Sequence, residues 1–373
     1  MPKTTPNYMS VKNNSGFSLV FILLGVLVSL LVVGGVLLYV TPSLKNTVKI
    51  PRTTTNSKVL IGFSMGTLQE ERWQKDKAEF LTKAKELGVS VDVESANNDS
   101  AKQISQIESL IIQKVDVLVI APYDAASLTA VVAEAHKAGI KVISYDRLIT
   151  DSPIDLYVSF DNEKVGKLEA QSVMDALSPK LNQGKKLKIA YIGGADTDNN
   201  SVLLKKGSFE VLHPYLDKGQ IEVVFDKSTP DWKPENAYQN LKTYLDSTNG
   251  AVDGVICAND STAFGSIKAL QEHSLAGVVP VSGQDAELAA IQRIIQGTQT
   301  STVYKSVNNL ADAAVASAIK LVAGTPVSTN AQINNGLSDV PSLLLDPIGV
   351  TKDNIDATVI KDNYHTHAEV YGK

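Results

Sequence analysis

The chain is short of cysteine and of aromatic residues, and both shortages narrow what it can be. One cysteine, Cys257, stands among 373 residues. A disulfide within the chain is therefore excluded, and so is a zinc site built from several cysteines. Cys257 lies in the apolar run Val255-Ile256-Cys257-Ala258, where a free thiol is expected to be a small buried hydrophobe. Aromatic residues make up 6% and include only two tryptophans, Trp73 and Trp232, so the places of those two carry weight. A strong charge of one sign is also missing. The formal net charge is −5 and no long basic run occurs, which argues against an extended nucleic-acid footprint. No Gly-x-x-x-x-Gly-Lys-Ser/Thr phosphate loop is present, and Gly193-Gly194 reads as an ordinary tight turn. The five histidines show no recognised ligand spacing. His365-Thr366-His367 reads as a solvated tail, so neither a metal nor a cofactor is expected.

What is present begins with one long hydrophobic run. Phe17 to Val40 holds 24 residues without a charged side chain. At about 1.5 Å per residue it would span about 36 Å as a helix, enough to cross a hydrocarbon core of about 30 Å with tilt. The run is longer than a secretory-signal core, and Leu37-Leu38-Tyr39-Val40-Thr41-Pro42 is a poor cleavage site. No cysteine follows it for lipid attachment. The expectation is an uncleaved signal anchor at 17–40, with a cytoplasmic tail at 1–16 and the rest of the chain outside. Lys3 and Lys12 precede the span and Lys45, Lys49 and Arg52 follow it, so positive charge does not fix the orientation. Residues 41–57, rich in Thr, Ser, Asn and Pro, read as a flexible tether.

From Lys58 onward apolar runs alternate with amphipathic stretches. Strand-like runs cover 59–65, 89–94, 115–122, 141–146, 156–160, 186–194, 221–226, 252–259, 279–285 and 300–305. Several are continuous and β-branched, which suits parallel strands buried on both faces. Helical stripes lie between them. In 69–87, Phe80, Ala84 and Leu87 share one face; 102–113 carries Ile104, Ile107, Leu110 and Ile111; 126–138 stops before Gly139. Strand–helix alternation repeated this often means α/β units with right-handed crossovers. Two domains fit the length, and two open sheets of about five strands fit the count better than an eight-stranded barrel.

In open α/β sheets, ligands bind beyond the carboxyl ends of the strands. Those ends carry Arg72-Trp73, Asp146-Arg147, Asp198-Asn199-Asn200, Asp231-Trp232, Asn259-Asp260, Gln284-Asp285 and Lys305. A single Asp or Asn there is ordinarily a turn or a helix cap. The whole set has a chemical meaning. Carboxylates accept from sugar hydroxyls, Arg and Lys donate to them, and Asn does both, while a flat aromatic ring covers a sugar's C–H face. Trp73 also fits a helix core, since it sits seven residues before Phe80.

At these motifs the sequence resembles a known family. LQEERWQKD, SANND, VDVLVIAPYDA, GIKVISYDRLI, VSFDNEKVG, DNN, DWKPENA, ANDSTAFGSIKAL, SGQDAELAAI, GTQTSTVYK and NNGLSDVPSLLL are similar to the periplasmic D-xylose-binding proteins, in the pentose and hexose group of type I solute-binding proteins. The likeness covers about 58–365. It implies an α/β fold of two flavodoxin-like lobes, parallel sheets flanked by helices, joined by a three-segment hinge and closing over a sugar. On that scheme 58–160 with 287–330 forms the N-terminal lobe and 161–286 with 331–373 the C-terminal one. The family's D-xylose contacts fall on Arg72, Asp146, Arg147, Asp198, Asn200, Asn259, Asp285 and Lys305, with Trp73 and Trp232 sandwiching the ring.

The N-terminus departs from the transport members and resembles the membrane-anchored clostridial xylose-binding proteins. That implies a single-pass cell-membrane protein with an extracytoplasmic sugar-binding part, acting as a sensor subunit with a membrane histidine kinase. The alternative is the substrate-binding component of an ABC-type importer, with a permease as partner. Two other readings are weak. A glycosidase using Asp146 and Asp285 would need one of them protonated, yet Arg147 and Lys305 stand beside them. A repressor of the lactose-repressor type would need a DNA-binding helix pair where the hydrophobic run stands.

Overall fold

The computed structural model describes residues 58–372. The expected tail, membrane span and tether at 1–57 lie outside the described residues. Among the described residues no helix is long and apolar enough to cross a membrane.

The β-branched runs become strands and the striped segments become the helices between them. In the first half these are β1 (Leu60–Met65), α1 (Glu71–Glu86), β2 (Ser90–Ser95), α2 (Ser100–Ile112), β3 (Val117–Ala121), α3 (Thr129–Lys137), β4 (Lys141–Tyr145) and β5 (Leu156–Phe160). β3 shows why such runs do not alternate in polarity. Val117 and Val119 pack into one helical layer with Phe63 and Phe80, while Leu118 and Ile120 pack into the other with Ile107 and Val132. Both faces are covered, so every residue of the strand is buried. α1 presents Trp73, Phe80 and Ala84 to this core. Leu87, expected on the same stripe, is 47% exposed because the helix ends at Glu86 and Leu87 is its cap.

The second half holds α4 (Asn162–Leu181), β6 (Leu187–Ile192), α5 (Asn199–Asp217), β7 (Ile221–Lys227), α6 (Pro234–Thr248), β8 (Gly254–Cys257), α7 (Asp260–Glu272), α8 (Leu288–Gln296), β9 (Thr302–Tyr304), α9 (Val307–Ala323), β10 (Ala331–Asn334), β11 (Asp339–Leu345), β12 (Ile348–Val350) and α10 (His367–Tyr371). Cys257 is buried in the second core as expected, and burial pushes its thiol up to about 12.

The strands assemble into a seven-stranded sheet, β10-β11-β5-β4-β3-β1-β2, and a three-stranded parallel sheet, β7-β6-β8, with a separate β9–β12 ladder. The expectation of about five strands in each sheet is corrected. The run at 279–285 makes only isolated bridges, Val281 to Val255 and Val279 to Ala276, and β9 pairs antiparallel with β12. The division of the chain is corrected too. β11 runs parallel to β5, Ser342 beside Tyr157 and Leu345 beside Phe160, so 331–345 belongs to the first lobe and not the second. α8 seats Ile291 and Ile294 against Tyr304, Val350 and Val359, so 287–305 belongs to the second lobe. α9 packs Leu310, Ala314 and Ala318 on the first sheet. The chain thus passes between lobes three times: from β5 to α4, from β9 to α9 and from β11 to β12.

His365 is not in a solvated tail. It is 2% exposed, and its Nε2 donates to the Ala286 carbonyl at 2.7 Å.

Candidate ligand-binding site

The carboxyl ends of strands from both lobes face one pocket. Its lining includes Arg72, Trp73, Asp146, Arg147, Asp198, Asn200, Trp232, Asn259, Asp285 and Lys305, all ten residues singled out in the sequence, together with Glu70 and Gln284. Gln284 stands beside Asp285, where the strand-end rule already pointed. Glu70 precedes the first turn of α1 and carries no sequence signal of its own. Asp76 was missed as a supporting residue; its place one helical turn after Arg72 was the available clue.

Each side chain is set by local structure. Asp146 follows β4 with φ +59°, and Arg147 N donates to the Tyr145 carbonyl at 2.6 Å, closing a tight turn that projects Asp146 and Arg147 past the sheet edge. The Asp146 carbonyl accepts from Tyr157 at 2.9 Å and from Ser159 at 2.6 Å. Asp198 and Asn259 are also helix caps. Asp198 accepts from Asn200 N at 2.9 Å and Asn259 accepts from Thr262 N at 2.8 Å. Capping and pocket-lining are combined in one residue at both places. Trp73 belongs to the first core and to the pocket wall at once. Trp232 and the preceding Asp231 adopt φ +59° and +57°, a conformation unusual for residues other than glycine. Gly194 makes room for that turn, since a Cβ there would stand 2.1 Å from Trp232 Cη2.

Charge is concentrated in the pocket. Arg72 reaches Asp76 at 2.8 Å, Asp146 at 2.9 Å and Asp285 at 3.6 Å. Lys305 reaches Asp285 at 3.1 Å and Asp146 at 3.8 Å. Arg147, from the first lobe, pairs with Asp198 of the second at 2.7 Å. Burial would raise Asp146, but Arg72, Lys305 and Arg147 outweigh it and hold the carboxyl below its usual range. Burial also opposes the Arg72 charge, and Asp146, Asp76 and Asp285 overcome it. At Asp198 burial wins and the carboxyl is pushed up, with Arg147 opposing. Glu70 is raised by burial as well. Trp73 is flanked by cations, with Arg72 Cζ 4.3 Å and Arg147 Cζ 5.0 Å from its ring centre. Glu70 Oε2, Gln284 Oε1 and Trp232 Nε1 have no hydrogen-bond partner among the described residues. The pocket therefore holds fixed acceptors, fixed donors and two aromatic walls. Its carboxylate at Asp146 is kept ionised, which suits hydrogen-bond acceptance and not proton donation.

Two lobes joined by three crossings, with a buried polar pocket walled by both, define a hinged binding protein for a small polar ligand. The chain belongs to the periplasmic binding protein family, whose domain matches residues 61–326. It is 47% identical over 320 residues to the D-xylose-binding periplasmic protein of Haemophilus influenzae, covering 86% of this chain and 94% of that protein. The Escherichia coli protein of the same description is 47% identical over 313 residues, covering 84% of this chain and 93% of its own length. Among solved structures, an ABC transporter solute-binding protein from Clostridium phytofermentans with bound β-D-glucose matches with a TM-score of 0.77 and 30% identity, over 83% of this chain and 99% of that one. This is a sugar-binding and not an enzymatic family, so the glycosidase reading falls.

Proposed function

We propose that the pocket binds D-xylose and that the lobes close over it. The observation that carries this reading is the convergence on one pocket of two tryptophans, Trp73 and Trp232, with the eight polar residues Arg72, Asp146, Arg147, Asp198, Asn200, Asn259, Asp285 and Lys305. The kinship with two proteins described as D-xylose-binding supports the choice of sugar. The indole faces would cover the C–H faces of the ring, and the carboxylates and cations would meet its hydroxyls in charge-assisted bonds. Calorimetry of the full chain against D-xylose, D-ribose, L-arabinose and D-glucose tests this. Tightest binding of D-xylose is expected, with a change in tryptophan emission. Binding without any emission change would overturn the indole sandwich, and no binding of any of the four would overturn the sugar reading.

The role best supported is substrate-binding component of an ABC-type importer, working outside the membrane with a permease. The relatives described as periplasmic binding and ABC transporter solute-binding proteins favour it over sensing. A second reading, a membrane-anchored sensor subunit signalling to a histidine kinase, rests on one observation: the uncharged run Phe17–Val40 with no cysteine directly after it. Deleting the gene in a strain that expresses the transporter genes constitutively separates the two. Lost uptake sinks the sensor reading, and normal uptake with lost induction of the native genes sinks the importer reading.

A further inference from the structure

Outside the pocket lining, a side-chain contact also joins the two lobes. Tyr123, between β3 and α3, donates its hydroxyl to Asp231 Oδ1 at 2.6 Å. Asp231 stands between β7 and α6, and its other oxygen accepts from Lys233 Nζ at 3.0 Å. The first-lobe half of the contact is held firmly. Buried Gln103 accepts from Tyr123 N at 2.9 Å and donates to the Ala121 carbonyl at 3.0 Å. Gly66 lets the Tyr123 backbone approach so closely that a Cβ would stand 2.7 Å from its nitrogen. The second-lobe half is the strained half, because Asp231 and Trp232 both hold positive φ. A backbone bond from Ala125 N to the Thr197 carbonyl, 2.9 Å, crosses the cleft beside it.

We propose that Tyr123 and Asp231 form a closing latch: by holding Asp231 from the opposite lobe, Tyr123 keeps the left-handed Asp231–Trp232 turn in place as the lid of the pocket and sets how long a bound ligand stays. The proposal rests on the reading that the pocket takes a sugar. Tyr123 is a positioning residue in it. It is absent from the pocket lining and acts through the turn that carries Trp232. A contact made on closure belongs to the closed state, so its loss acts on escape and leaves encounter unchanged.

The test uses the full chain, with D-xylose as probe and stopped-flow tryptophan emission as readout. Tyr123→Phe keeps the ring and removes the hydroxyl. The dissociation rate is expected to rise about five- to tenfold, the effect of a lost charge-assisted hydrogen bond at a half-exposed site, with the association rate changed less than twofold. Asp231→Asn keeps the preference for positive φ and removes the charge, so a smaller rise of the same kind is expected. The double variant is expected to equal Tyr123→Phe alone. Unchanged dissociation in Tyr123→Phe, or single effects that multiply in the double variant, overturns the latch. Hydrogen exchange at the Ala125 amide without sugar gives a second reading. It is expected to quicken in Tyr123→Phe, and equal exchange overturns the proposal. If the unaltered chain binds no sugar by calorimetry, the sugar reading alone fails and the exchange result still decides the latch.

Discussion

Replacing Asp146 by asparagine would remove a carboxylate that two buried cations share. Taking one partner from a buried ion pair costs about 3–5 kcal/mol. Arg72 would keep Asp76 at 2.8 Å and Lys305 would keep Asp285 at 3.1 Å, so the lower end is expected. Denaturant unfolding of Asp146→Asn should show a loss of about 3 kcal/mol in the absence of ligand. An unchanged midpoint would mean that the pocket's charges are neutralised in some other way. An acidic pair, buried Asp260 and partly buried Glu287, stands one residue past Asn259 and two past Asp285. Asp260 accepts from Gln299 at 2.7 Å, Thr302 at 2.9 Å and Glu287 N at 3.0 Å, so it is the better placed of the two to keep its charge. Burial, and then the Asp260 charge, push Glu287 up. The folded state therefore holds a proton that the unfolded chain has released. Stability from this source is full at acid pH and is lost as pH rises from the usual glutamate range to about 8. Glu287→Gln should melt like the unaltered chain at pH 5 and above it at pH 9. Parallel melting curves for the two proteins across that range would disprove it.

At the scale of the element, the turn between β7 and α6 and the loop after β6 are built against each other. The turn gives Trp232 its left-handed backbone, and the loop gives it Gly194 to lie against. In Gly194→Ala the new methyl would meet Trp232 Cη2 at 2.1 Å, Trp232 Cζ2 at 2.3 Å and Ser201 Oγ at 2.4 Å. The Ser201 hydroxyl can rotate away, but the two ring carbons cannot yield without moving the indole. Affinity for the sugar is expected to drop at least tenfold while far-UV circular dichroism is unchanged; equal affinity would show that Trp232 is not a pocket wall. How far the sequence could be read follows element lines as well. β5 was legible to the residue, because a continuous run bounded by polar turns leaves little choice. β11 was not, because Pro341 inside Asp339–Leu345 argues against an inner strand. The run at 279–285 has strand composition, yet only isolated bridges form there, since what a segment pairs with is decided by tertiary structure. The pocket was legible because strand ends in such sheets converge, and the residue types at those ends were unusual together. Glu70 sits at a helix start, where charge is commonplace, and gave no distinct signal; Asp76 offered only its i+4 spacing from Arg72, a pairing common on exposed helix faces.

For the whole molecule, binding and folding are linked through the three crossings. The ion pair Arg147–Asp198 joins the lobes across the pocket, and a ligand held between them binds only the assembled form. At a sugar concentration about 100 times Kd, unfolding should cost about 2.7 kcal/mol more than without sugar. Calorimetric Kd and denaturant midpoints measured on one preparation check this, and a sugar that binds without stabilising would mean that one lobe alone holds it.

The position of β1 has a mechanical consequence. β1 is bonded to β2 on one side and to β3 on the other, both parallel, and 57 residues of chain precede Lys58. A pull on Leu60 along the strand axis would act on an inner strand and not on an edge. Both ladders would be loaded in shear, with their bonds strained together, whereas an edge strand pulled sideways would peel one bond at a time. A load applied along the β1 axis would therefore be shared by two parallel ladders at once.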